Sequence, residues 1–266
     1  MEVNFDEWYK SISQRKSRRH FSSRPIDPAL IEQLKAFCDH YRPFSRSRAV
    51  LVTESPDKVF KMLAGGYGLI KGAPAYLAFL GDKEFLHIQE QTGYTGEGVI
   101  LQATSLGLGT CWVAGTYNSK IALEQSHALA KEKVLAVSPV GYPVENLSLT
   151  EKVVKGVARS QKRKPLKEII SGLSPDEWAP WQRSAVEAAR LAPSASNRQP
   201  WKFQIEPESI TVISTMVSRY VVSERLDCGI AMQHIEVGAS YAGARGNWEF
   251  LASPPIARYR VGTTLD

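Results

Sequence analysis

Two short strings concentrate the side chains best suited to gripping a ligand. Near the start, Arg15-Lys16-Ser17-Arg18-Arg19 sets guanidiniums, an ammonium and a hydroxyl within five residues. A phosphate placed there would receive several charge-assisted hydrogen bonds. The same cations would also complement the dipole of a helix ending at this point. Far downstream, Ala192-Pro193-Ser194-Ala195-Ser196-Asn197-Arg198-Gln199-Pro200-Trp201 lies between an amphipathic run and the strand-like Phe203-Gln204-Ile205. Proline, small residues and Asn make a stiff polar loop that can offer backbone and side-chain hydrogen bonds to a bound ring system. Those residues would equally serve as an ordinary helix stop. A second basic knot runs from Arg159 to Lys167.

The net charge of +6 calls for an anionic partner to be considered. Two compact knots parted by a long neutral stretch suit one phosphate better than a nucleic acid, which wants a broad basic face with interleaved aromatics. No H-x-x-x-H or C-x-x-C spacing occurs, so no metal site is expected. The three widely spaced cysteines argue for a reducing cytoplasm, and Cys111 reads as a small core residue. No apolar run reaches membrane-spanning length, and the acidic opening residues do not read as a secretory signal. Gly65-Gly66-x-Gly68 is not a dinucleotide fingerprint and reads as loop.

The elements that must position these strings follow from periodicity and caps. Phe5, Trp8, Tyr9 and Ile12 predict a first helix running into the basic knot. Asp27-Pro28 opens a second, burying Leu30, Ile31, Leu34 and Phe37. Strands are expected at Ala49–Thr53, Ala75–Leu80 and Val134–Val140, with a short helix after Ser55-Pro56 and another near Ser119. A long helix from about Phe85 to Leu106 should end at Gly107, with Thr110–Thr116 leaving it extended. In the second half Ser174-Pro175-Asp176-Glu177 reads as a capping box starting a helix to Leu191. Strands at Trp201–Ile205 and Ile210–Ile213 and a helix from Asp227 to Tyr241 follow. In both long helices an Ala is followed four residues later by Gly, a faint echo between the halves. The charged stretch Lys152–Lys164 is the expected linker.

R-K-S-x-R-x-F, G-L-G-T-C-W-V-A-G after a long helix, and A-P-S-A-S-N-R-Q-P-W before a strand together resemble the FMN-dependent nitroreductase family. The Asn-bearing string follows the helix of the second half, whereas Tyr41-Arg42-Pro43-Phe44-Ser45-Arg46 after the second helix lacks it. That arrangement resembles the single-chain branch, in which two fused halves imitate the usual homodimer. The resemblance implies an α+β nitroreductase-like fold. Residues 1–170 would form a first half with the phosphate and ring contacts, and 171–266 a shorter second half closing the site.

Residue by residue, the resemblance implies that Arg15 and Ser17 hold the FMN phosphate with at least the backbone of Lys16, and that Arg163 returns to it. Gln161 stands where a cation is usual. Arg19 would lie at the N1/O2 edge of the flavin. Trp112, Val113, Ala114 and Gly115 would lie along the ring, with the Ala114 and Gly115 amides facing N5 and O4. Pro193, Ser194, Ala195 and Asn197 would close over it from the other half. The implied activity is hydride transfer from NADH or NADPH through FMN to a small electron-poor acceptor, such as a nitroaromatic or quinone, by a monomer with one flavin site and no protein nucleophile. A flavin binder without turnover, dehalogenation and, less readily, nucleic-acid binding remain the alternatives.

Overall fold

Two antiparallel-based sheets share one strand order in this structure, a computed structural model that describes residues 3–61, 70–144, 162–215 and 223–262. The first sheet runs β1 (Ser47–Val52), β2 (Ala75–Asp82), β4 (Glu132–Gly141), β3 (Gly109–Thr110). The second runs β5 (Ile170–Gly172), β6 (Trp201–Glu206), β7 (Ser209–Ser214), β9 (Pro255–Val261), β8 (Gly246–Phe250). Without β5 the two orders coincide. β5 pairs in parallel with β6 at the edge of the second sheet.

The helices are α1 (Phe5–Gln14), α2 (Pro28–His40), α3 (Pro56–Phe60), α4 (Ile88–Ser105), α5 (Ser119–Gln125), α6 (Leu166–Ile169), α7 (Pro180–Arg190) and α8 (Glu224–Tyr241). Asp27 caps α2 as its sequence predicts, with Oδ1 accepting from the Ala29 amide at 2.9 Å ahead of a first-turn proline. The capping box at Ser174 behaves differently. Glu177 accepts from both the Ser174 amide and hydroxyl, yet the helix starts only at Pro180. Ala179 precedes that proline and is held extended at ψ 154, which parts the turn from the helix. The Trp178 indole, bonded to the Leu173 carbonyl, ties the turn back. Strands β5, β8 and β9 are additions to the sequence-based expectation. Gly65, Gly66, Gly68, Gln161 and nearly all of the 152–164 linker lie outside the described residues. No helix among the described residues is long and apolar enough to cross a membrane.

The halves meet where α4 lies against α8, both helices buried on nearly all sides. Glycine permits the approach. A methyl on Gly93 would overlap the Leu226 carbonyl oxygen, and one on Gly229 would overlap that of Glu90. Gly93 and Gly229, Ala103 and Ala239, Gly107 and Gly243, and Trp112 and Trp248 are all related by one constant offset, so the faint echo is a pseudo-twofold of the fold. Gly107 and Gly243 end their helices at φ 75 and 82. Gly93→Ala or Gly229→Ala should therefore cost about 1–3 kcal/mol through overpacking against backbone. Urea unfolding of either variant against the parent measures this, and an unchanged midpoint would contradict the close crossing.

Candidate cofactor site at the junction of the halves

The first basic knot is laid against the strand that leads to Trp112. Arg15 ends α1 with its amide on the Ser11 carbonyl, and the Arg18 amide donates to the Thr110 carbonyl at 2.7 Å. Ser17 bridges Thr110, and the Arg19 carbonyl accepts from the Lys71 amide. Lys16 and Ser17 are exposed, and Arg19 is half-buried. Beyond Thr110, the Trp112 ring covers Gly96 and lies beside Phe79, ring centroids 4.5 Å apart. Val113 is fixed by two 2.9 Å bonds exchanged with Val137, and Gly115 is exposed. Ala114 lines a cavity of about 220 Å³ with Tyr117 and Leu135, and Leu226 closes it from the second half.

The Pro193–Asn197 loop sits at the start of α8. Asp227 accepts from the Ala195 amide at 3.0 Å and from Arg198 Nη2 at 3.1 Å. Ser196, Asn197 and Gln199 adopt φ of 52, 54 and 49, a region in which Asn is better tolerated than most residues. The side chains of the loop are engaged by the chain itself. Ser194 Oγ accepts from the Gln199 amide, Asn197 Nδ2 donates to the Lys162 carbonyl, and Asn197 Oδ1 accepts from Arg163 Nη1 at 3.2 Å. Gln199 Oε1 accepts from the Lys164 amide, so residues 162–164 of the second knot are clasped onto the loop. Pro193 is buried and Ala195 half-buried.

This clasp brings Arg163 up to Arg15 from the far side of the sequence. Burial holds the Arg163 guanidinium below its usual range, and the positive charges of Arg15 and Arg190 lower it further. The Arg15 side chain is only 6% exposed, and its Nε and Nη1 have no hydrogen-bond partner among the described residues. The buried Thr110 hydroxyl is likewise unpartnered. Arg15, Lys16, Arg18 and Thr110 line a cleft of about 160 Å³. Like charges drawn together with orphaned donors are costly unless an anion satisfies them. The residues present therefore fit a phosphate group.

Sequence reading missed Glu97 and His234, which face each other across the halves at 2.9 Å with no exposure. Glu97 also accepts from the Trp112 indole at 2.7 Å and lies 3.9 Å from Arg15 Nε. The available signal was a lone carboxylate between Gly96 and Gly98 and a lone imidazole in an equally buried helix, neither in a recognisable spacing.

Residues 7–239 match the family described as "Putative TM nitroreductase". The chain belongs to this nitroreductase family. A Thermotoga maritima crystal structure of a putative nitroreductase shares 19% identity, spans 98% of this chain and 96% of its own, and superimposes with TM-score 0.66. This likeness establishes the mixed α+β, two-half nitroreductase fold over the whole length. A nitroreductase family protein of Clostridium difficile aligns over 65% of this chain and 99% of its own at 24% identity and TM-score 0.46. A Bacteroides fragilis nitroreductase with bound FMN aligns over 55% and 92% at 17% identity and TM-score 0.44. No curated protein matches.

Asp227 gives the loop a pH signature. Burial outweighs Arg198 and the Ala195 amide and raises its carboxyl from 3.8 to about 6. A raised acid favours the folded state fully below the unfolded value and loses that contribution as pH rises through about 6. Asp227→Asn cannot ionise. Relative to this variant the parent should lose on the order of 3 kcal/mol between pH 4 and pH 7. Urea unfolding across that range tests it, and a parallel pair of pH profiles would refute it.

Proposed function

We propose that this chain is an FMN-dependent oxidoreductase that takes reducing equivalents from NADH or NADPH and delivers them to a small electron-poor acceptor such as a nitroaromatic or quinone. The observation that carries the proposal is the convergence of Arg15 and Arg163 from opposite ends of the fold, with buried guanidinium nitrogens of Arg15 awaiting an anion. Family membership supports an oxidoreductase role, and the three motifs supply the cofactor.

In this reading Arg15, Ser17, the Lys16 backbone and Arg163 hold the phosphate. Trp112, Val113, Ala114 and Gly115 wall the ring, their backbone oriented by the Val113–Val137 bridge, and the amides of Ala114 and Gly115 face N5 and O4. Pro193, Ser194, Ala195 and Asn197 close the second side, with Asn197 anchoring Arg163 and Ser194 holding the Gln199 amide. When bound, FMN supplies two-electron hydride chemistry, so the chain needs no nucleophile of its own. Arg19 places a cation where the reduced ring gathers negative charge, and Leu226 with Leu135 lines the cavity beside Ala114.

One site per chain is proposed, because the first half lacks the Asn-bearing loop. Its helix-to-strand connection is Tyr41–Arg46, whose Phe44 packs edge-on to Tyr94 and Phe250, and His87 stacks on Phe250. Both walls of the remaining site come from one chain, so a monomer suffices. Three buried thiols with no disulfide fit a reducing cytoplasm.

Anaerobic titration of the FMN-loaded protein with NADH and with NADPH tests the activity. Bleaching of the yellow colour, and its return with a quinone, is expected. Colour that neither nucleotide bleaches would mean a flavin binder without turnover, and failure to take up FMN would end the proposal. Arg15→Ala and Arg163→Ala should each weaken FMN binding roughly tenfold to a hundredfold through loss of a charge-assisted bond, read by flavin fluorescence. Arg19→Gln should lower the flavin midpoint potential, since the reduced ring loses a nearby cation. Spectroelectrochemistry decides, and an unchanged or raised potential removes Arg19 from the ring edge.

A further inference from the structure

The buried Glu97 carboxylate joins three elements that the flavin reading uses separately. One oxygen faces His234 Nε2 at 2.9 Å and Arg15 Nε at 3.9 Å, and the other accepts from the Trp112 indole at 2.7 Å. His234 Nδ1 lies 2.9 Å from the Ala188 carbonyl, which can only accept, so that nitrogen carries a proton. The imidazole is thereby fixed in one orientation with Nε2 presented to Glu97. The Glu97 carboxylate thus stands between the His234 imidazole of the second half and the Arg15 guanidinium of the first.

We propose that Glu97, oriented by His234 from the second half, is the positioning residue that sets Arg15 for the phosphate and ties it to the Trp112 wall. This rests on the flavin reading above. Arg15 is the group that needs such a hold: its side chain is buried, and Glu97 is the one carboxylate within ion-pair range of it among the described residues. Glu97→Gln keeps an oxygen that can accept from the Trp112 indole but removes the carboxylate beside Arg15, so what is lost is the placement of the guanidinium.

The test is a double-mutant cycle on the full-length apoprotein with FMN, riboflavin and inorganic phosphate as probes, read by flavin fluorescence and by calorimetry. Glu97→Gln should weaken FMN and phosphate roughly tenfold while leaving riboflavin unchanged, the scale of one charge-assisted bond. In an Arg15→Ala background the same substitution should do nothing further. Glu97→Asp, which keeps the charge, should recover part of the loss, and it carries the cycle if Glu97→Gln does not fold. Equal weakening of FMN and riboflavin, additive losses in the cycle, or tighter FMN binding by Glu97→Gln each overturn the proposal. A parent that binds phosphate in a Glu97-dependent way but takes no FMN or riboflavin would sink the flavin reading and sustain the positioning role.

Discussion

Everything at the junction depends on how closely α4 and α8 approach. Two helices in ordinary contact sit 8–10 Å apart, with side chains between their axes. Here Gly93 and Gly229 remove those side chains and let backbone meet backbone. Only at that range can Glu97 on one helix reach His234 on the other, and Arg225 on α8 reach the buried Glu90 on α4. The same approach sets Leu226 beside Ala114 and brings the start of α8 under the Pro193–Asn197 loop. A wider spacing would take from the buried Glu90 and Glu97 their partners on the facing helix, so the crossing and the polar contacts enforce one another.

Much of the frame was legible because it is written in local chemistry. Asp27-Pro28, Ser55-Pro56 and Gly107 mark helix ends through steric and capping rules that tertiary structure seldom overrides. The capping box at Ser174 shows where such rules compete: its hydrogen bonds form, but Pro180 decides where the helix begins. Strands β8 and β9 were illegible because their residues gain order from pairing with one another and with β7, which no short window contains. The motif strings were readable, yet their convergence was not. That Asn197 clasps Arg163, and that Glu97 meets His234, depends on contacts spanning much of the chain.

The clasp also revises how the Asn-bearing loop works. As a string it suggests side chains offered to a ligand. In the fold, Ser194, Asn197 and Gln199 spend their hydrogen bonds on residues 162–164 and on each other. The loop thus acts as a mount, and the group it mounts is a guanidinium held against another of like charge. Like charges drawn together in this way favour an anion between them.

The pseudo-twofold has a consequence for how such a molecule can change. In a symmetric pair of identical subunits, every substitution is made twice, once in each equivalent environment. Here Trp112 hydrogen-bonds Glu97, whereas its counterpart Trp248 hydrogen-bonds Glu236, and the position matching the Asn loop holds Phe44. Joining the halves in one chain lets a mutation act on one side alone. One copy could then give up ligand chemistry and turn to apolar packing without any loss to the other.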